Sequence, residues 1–334
     1  MAVSDQLQRP LRDLRVSVTD RCNFRCRYCM PREAFGADFR FLDRAELLTF
    51  EEVTRIARVF ARLGVRKLRI TGGEPLVRRG VERLVGMVAS LDGIVEVAMT
   101  TNASLLPHKA EALREAGLGR ITVSLDSLDD VTFRAMSDAN LPVKVVLDGI
   151  AAAREAGFAP IKINTVVKRG VNDTGILALA RFGREQGHIV RFIEYMDVGT
   201  TNGWRLTDVV PAEDIVARIS AVFPLEPVPA SSPGEVATGY RYRDGGGEIG
   251  VIASVTRPFC QTCTRARLSA TGELYTCLFA PSGHDLRALV RSGGSDDELE
   301  AFIQRTWRGR TDRYSELRTA GRKLPKVEMS YIGG

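Results

Sequence analysis

The stretch DLRVSVTDRCNFRCRYCMP, residues 13–31, joins a strand to a thiol-rich loop. LRVSV (14–18) has the alternating, β-branched composition of a strand. Cys22, Cys26 and Cys29 follow it with the spacing C-x3-C-x2-C. In barrels of alternating strands and helices, the loops after the strands form the active face. A structural zinc site or a closed iron–sulfur cluster normally takes four protein ligands. Three thiolates can hold three irons of a cubane cluster and leave the fourth open to a small molecule. A Cys3His zinc site would need a histidine, and His108, His188 and His284 all lie far from the motif in sequence.

Beyond this stretch a pattern recurs: a helix-like segment, a glycine, then a β-rich run. It appears in ARLGVRKLRI (61–70), REAGLGRITVSL (114–125), REAGFAPIKINTVV (154–167) and REQGHIVRFIEYM (184–196). Gly64, Gly117, Gly157 and Gly187 suit helix ends. TFEE, Thr49 to Glu52, reads as a capping box. With LRVSV and IVEVAMT (94–100), six strands alternate with helices, which predicts parallel pairing through right-handed crossovers. Six are too few to close an eight-stranded barrel. The expected fold is α/β: an open, partial, roughly six-stranded parallel (βα) barrel, with a doubly wound sheet as the alternative.

After about residue 220 the texture changes. FPLEPVPASSPGE reads as a connection, YRYRDGGGEIGVIASV as a hairpin and RARLSATGELYTC as a second hairpin turning at Thr271-Gly272. The expected division is 1–220 for the barrel and 221–334 for a smaller mixed α/β region. GGGEIG (245–250) matches a dinucleotide-binding pattern, but VIASV follows it where a helix would be required, so a turn is the better reading.

Composition sets the frame. The 334 residues are 44% hydrophobic and 26% charged, ordinary values for a globular protein long enough to bury a core without disulfides. The net charge of +6 suits an anionic ligand and by itself does not separate a small anion from nucleic acid. No apolar run approaches a membrane span and the N-terminus has no apolar signal core, so a cytoplasmic location without membrane attachment is expected. Clustered cysteines in a reducing compartment point to metal or redox chemistry.

The remaining cysteines form a second group, Cys260, Cys263 and Cys277, spaced C-x2-C-x13-C. Again there are three, which makes a second open cluster the consistent reading. Arg265 and Arg267 follow at alternate strand positions and share a face. Their planar forks suit phosphate oxygens. Arg15, Lys67, Arg69, Lys162 and Arg191 recur on strands expected to line the interior. Residues at or near strand ends, Thr100, Asn102, Ser124, Asp126, Asn164, Glu194 and Met196, either face a ligand or make ordinary hydrogen bonds toward the neighbouring helix layer.

The first motif, with Tyr28 before its last cysteine, resembles the radical S-adenosylmethionine (SAM) superfamily, and TGGEP (71–75) resembles the superfamily's second signature. A more specific resemblance covers nearly the whole chain. DLRVSVTDRCNFRCRYCMP, TGGEPLVR, VSLDSL, IKINTVV, RFIEYMDVG, CQTCTRARLSATGELYTCLF and the terminal YIGG together resemble the GTP 3',8-cyclase family. The resemblance implies two [4Fe-4S] clusters. Cys22, Cys26 and Cys29 would hold the SAM cluster, and Cys260, Cys263 and Cys277 an auxiliary cluster whose free iron meets guanine. It implies SAM contacts at Tyr28, Gly73, Ser124 and Met196. It implies GTP contacts at Arg15, Arg69, Thr100, Lys162, Arg265, Ala266 and Arg267, with Lys67 and Arg191 as secondary candidates, and a Gly333-Gly334 tail reaching the active site. No side chain is expected to act as a general base. The implied reaction forms (8S)-3',8-cyclo-7,8-dihydroguanosine 5'-triphosphate: a 5'-deoxyadenosyl radical takes the C3' hydrogen of GTP and the C3' radical attacks C8, the first step of molybdenum cofactor biosynthesis. An external electron donor, a downstream cyclic pyranopterin monophosphate synthase and a homodimer also follow from the resemblance; nucleic acid is not an expected partner.

Overall fold

A computed structural model describes residues 3–230, 234–318 and 326–333. Six parallel strands form its centre: β1 (Asp13–Ser17), β2 (Lys67–Thr71), β3 (Glu96–Thr101), β4 (Arg120–Ser124), β5 (Lys162–Val167) and β6 (Ile189–Glu194), paired in chain order. The helices between them are α1 (Phe50–Arg62), α2 (Val81–Ala89), α3 (Ala110–Glu115), α4 (Asp130–Ser137), α5 (Lys144–Glu155) and α6 (Ile176–Gln186).

Local chemistry accounts for these elements. Thr49 caps α1 through a full capping box with Glu52. Val53, Ile56, Ala57, Val59 and Phe60 bury the inner face of α1, and each large apolar side chain contributes roughly 1.5–3 kcal/mol on full burial. In β5 burial alternates strictly: Ile163, Thr165 and Val167 enter the core, while Lys162, Asn164 and Val166 stay half-buried on the other face.

The chain beyond residue 220 adds to both edges of this sheet. A helix, α7 (Ala212–Ser220), leads to β7 (Leu225–Val228), β8 (Thr238–Tyr242) and β9 (Glu248–Ile252), and β9 pairs parallel with β6. The next strands, β10 (Arg265–Leu268), β11 (Glu273–Tyr275) and β12 (His284–Asp285), extend the other edge, where β10 pairs parallel with β1. The result is one open twelve-stranded sheet. Residues 1–220 and 221–334 therefore share a sheet, and one buried cluster running from Val3 to Trp307 contains side chains from both.

Both expected hairpins form, β8–β9 around 243–247 and β10–β11 around Thr271-Gly272. One reading is corrected: within FPLEPVPASSPGE, Leu225–Val228 is a strand paired with β8. Pro227 fits there because β7 is an edge strand, where a missing N–H breaks no ladder.

Candidate active site

Strand register assembles the cationic wall. Arg15 lies opposite Arg69 on β2 and opposite Arg267 on β10, so three arginines sit side by side on one face. Two strands further on, Thr100 lies opposite Thr122 and Thr122 opposite Lys162; Asn164 lies opposite Arg191. Arg69 Nη1 donates to Thr100 Oγ1 at 3.1 Å and to Thr122 Oγ1 at 3.2 Å. Among the described residues, Arg191 Nε and Asn164 Oδ1 are buried without a hydrogen-bond partner.

This wall is electrostatically uncomfortable. Burial and then the neighbouring Arg267, Arg69 and Arg265 pull Arg15 well below the usual guanidinium range. Burial followed by Arg120 brings Arg69 to about 10, and burial followed by Arg69 and Arg120 brings Arg191 to about 9. Lys162 falls to about 8 through burial, Arg191 and Arg120. A polyanion would relieve all of these at once.

The first thiol group occupies the loop after β1. The Phe24 N–H approaches Cys22 Sγ at 3.4 Å and Asn102 Nδ2 lies 4.0 Å from the same sulfur. Tyr28 donates its hydroxyl to Asp126 Oδ2 at 2.8 Å, tying this loop to the end of β4. Gly73 approaches the Thr19–Arg21 backbone so closely that a Cβ would collide with the Arg21 carbonyl. The double glycine thus packs loop against loop as well as lining the cavity.

The second group starts in a short turn, Cys260–Thr262, and ends after β11 at Cys277. Arg265 Nη2 lies 3.2 Å from Cys263 Sγ. Burial raises the Cys263 thiol, but Arg265 and Arg310 outweigh it and bring the group down to about 6. Burial and Asp312 push Cys277 up to about 12.

One cavity is lined by all six cysteines together with Arg15, Tyr28, Arg69, Gly73, Thr100, Ser124, Arg191, Met196, Arg265 and Arg267. The tail closes on it. Arg267 Nη1 donates to the Gly333 carbonyl, and Gly333 has φ +73 and lies tight against Thr71. Gly334 lies outside the described residues. Three expected contacts, Ala266, Lys162 and the secondary candidate Lys67, are not brought to the cavity wall. Ala266 is fully buried in the hydrophobic core, because strand alternation turns it away from Arg265 and Arg267. Lys162 sits at the start of β5, grouped with Arg191, Arg120 and Lys67.

Several residues escaped the reading of the sequence. Glu74 is 1% exposed and accepts from Thr101 Oγ1 at 2.6 Å, Asn102 N at 2.7 Å and Leu76 N at 3.0 Å. It braces the ends of β2 and β3, and burial lifts it to about 7 despite those bonds. Arg120 and Lys67 share Glu96, and Arg9 and Arg310 line the cavity. The TGGEP segment flagged Glu74; nothing local flagged Arg9 or Arg310.

The donor chemistry fits iron–sulfur clusters. All six cysteines are free thiols lining the cavity, the first trio from the loop after β1 and the second from the two ends of the β10–β11 hairpin. Among the described residues no three His, Cys, Asp or Glu side chains are placed to hold a single metal ion. Open barrel, trio after the first strand and cavity at the strand ends define a radical SAM enzyme. The family model described as Radical SAM superfamily matches residues 16–183, and Molybdenum Cofactor Synthesis C matches residues 188–316. The Acidothermus cellulolyticus GTP 3',8-cyclase is 57% identical over 99% of both chains, and that of Staphylococcus haemolyticus 48% identical over 99% of both. The chain belongs to the GTP 3',8-cyclase family. The fold alone is shared with Streptococcus suis SuiB, at TM-score 0.62 and 15% identity over 93% of this chain and 68% of the other. It is shared likewise with methylornithine synthase (PylB), at TM-score 0.51 and 17% identity over 93% and 86%.

Proposed function

We propose that this chain converts GTP to 3',8-cyclo-7,8-dihydro-GTP in the first step of molybdenum cofactor biosynthesis. The observation that carries the reading is the single cavity shared by both thiol trios and the buried arginines. Cys22, Cys26 and Cys29 would hold the SAM cluster, and Cys260, Cys263 and Cys277 the auxiliary one. When bound, SAM and its cluster supply the radical chemistry that removes the C3' hydrogen of GTP.

The chain's own residues bind and orient. Arg15, Arg69 and Arg267 present three adjacent forks to a triphosphate, each charge-assisted bond contributing about 1.5–3 kcal/mol. Binding energy at this remote group holds the ribose for reaction elsewhere in the cavity. Arg191 Nε and Asn164 Oδ1 offer a donor and an acceptor left over by the protein. Tyr28, through Asp126, fixes the first thiol loop against β4, with Ser124 and Met196 lining the SAM side. Gly333, held by Arg267, would bring the tail backbone beside the substrate.

An external reductant, a downstream cyclic pyranopterin monophosphate synthase, a homodimer and a cytoplasmic location belong to the same proposal. Among the described residues no helix is long and apolar enough to cross a membrane. The decisive assay is anaerobic: reconstitute with iron and sulfide, add SAM and dithionite, and quantify 5'-deoxyadenosine with and without GTP. GTP-dependent formation with GTP consumed supports the proposal. SAM cleavage indifferent to GTP refutes the substrate, and no cleavage in fully loaded protein refutes the radical reading.

A further inference from the structure

A buried ionic lattice fastens the second thiol trio. Asp5 accepts from Arg9 Nε at 2.6 Å and from Arg310 Nη1 at 3.2 Å. The side chains of Arg9 and Arg310 are 1% exposed and that of Asp5 is 0% exposed. Both arginines also grip the thiol turn: Arg9 Nη1 donates to the Cys260 carbonyl at 2.8 Å, and Arg310 Nη1 to the Cys263 carbonyl at 2.8 Å. The third cysteine is tied in from its neighbour. Thr276 Oγ1 donates to Asp312 Oδ2 at 2.6 Å, the same oxygen lies 3.5 Å from Arg310 Nε, and the Asp312 carbonyl accepts from Arg9 Nη1 at 2.8 Å.

Stability alone is a poor reason for such a lattice. Buried ion pairs seldom outperform apolar packing, because desolvating the charges offsets their attraction. Among the described residues this lattice also leaves Arg9 Nη2 buried with no hydrogen-bond partner, although both arginines line the cavity. Two guanidiniums beside three thiols place positive charge where thiolates and a cluster bring negative charge.

We infer that Arg9 and Arg310 are positioning residues for the auxiliary cluster. They hold the carbonyls of Cys260 and Cys263, and through Asp312 the Thr276 hydroxyl next to Cys277, in one arrangement competent to ligate. The inference rests on the auxiliary-cluster reading above. It requires the planar fork of arginine; lysine keeps the charge beside Asp5 but offers no fixed fork.

The test uses Arg9→Lys, Arg310→Lys and Cys277→Ser in the full chain, each reconstituted anaerobically. Iron per chain and the electron paramagnetic resonance of the reduced protein are measured with and without SAM. The SAM-perturbed signal is expected to survive in all three. The lysine variants are expected to lose the second signal and about half the iron, as two clusters of equal iron content require, matching Cys277→Ser. Full iron and both signals in the two lysine variants would overturn the clamp while leaving the second cluster in place. Full iron in Cys277→Ser would overturn the second cluster and the clamp with it. Loss of both signals from folded lysine variants would also overturn it, since a general structural role would not single out one cluster.

Discussion

Arg267 stands at the meeting point of cationic wall and tail: it lies opposite Arg15 in the register and donates to the Gly333 carbonyl. Lysine there would keep the charge but lose the fork that serves two acceptors. Arg267→Lys is expected to lower kcat/KM for GTP at least tenfold, a loss of about 1.4 kcal/mol, while SAM cleavage without GTP persists. Lys162 gives a prediction in pH. Burial, Arg191 and Arg120 bring its ammonium down to about 8, so raising pH removes a positive charge from the free enzyme. kcat/KM for GTP should therefore fall as pH rises through about 8, whereas Lys162→Arg should flatten that limb. A falling limb that persists unchanged in Lys162→Arg would assign it to another group. Most of these cationic residues were legible in the sequence, because strand alternation marks which side chains share a face. Ala266 was carried by the motif alone, and its burial on the opposite face follows from the same alternation.

The closing segment of the chain depends on a short helix, Met329–Ile332, whose anchors lie on other elements. Tyr331 shares a hydrogen bond with Thr271 Oγ1 at 2.5 Å and donates to Glu273 Oε2 at 2.9 Å. Lys326 Nζ reaches Asp197 Oδ2 at 2.6 Å, and Glu328 accepts from Thr200 N at 2.8 Å. These contacts precede the terminal glycines, so removing Gly333-Gly334 leaves the anchoring intact. The truncated protein should keep its Tm within about 2 °C, as expected when little buried contact is lost, yet form no cyclised product. Thermal melting and product analysis check this, and a fully active truncation refutes a role for the tail. YIGG was legible as a tail only through resemblance, since a terminal Gly-Gly has no pattern that distinguishes it from a frayed end. The strand Leu225–Val228 was missed for a related reason: its prolines read as a connection, and only its edge position admits them.

Across the molecule, the trio ending in Cys277 faces the same cavity as the trio after β1, and the proposed function assigns the two groups separate duties. Cys277→Ser should retain reductive SAM cleavage in the absence of GTP but lose most GTP cyclisation, measured as the ratio of product to 5'-deoxyadenosine. Equal loss of both reactions would contradict separate roles. The chain alone was enough for the alternation of strands and helices, the two thiol spacings and the cationic strand positions, because each is a local periodicity or a short motif. The family resemblance, too, rests on contiguous runs. The sequence could not show that β10 pairs with β1, setting Arg267 beside Arg15, or that Arg9 reaches Cys260 from 251 residues away. Nor could it show Glu74, at the cavity wall, bracing Thr101 and Asn102. Pairing between distant segments is decided by which apolar faces can be buried together and which buried polar groups find partners. Those conditions are met only when the whole sheet forms, so the shared cavity and its buried clamp belong to the tertiary structure.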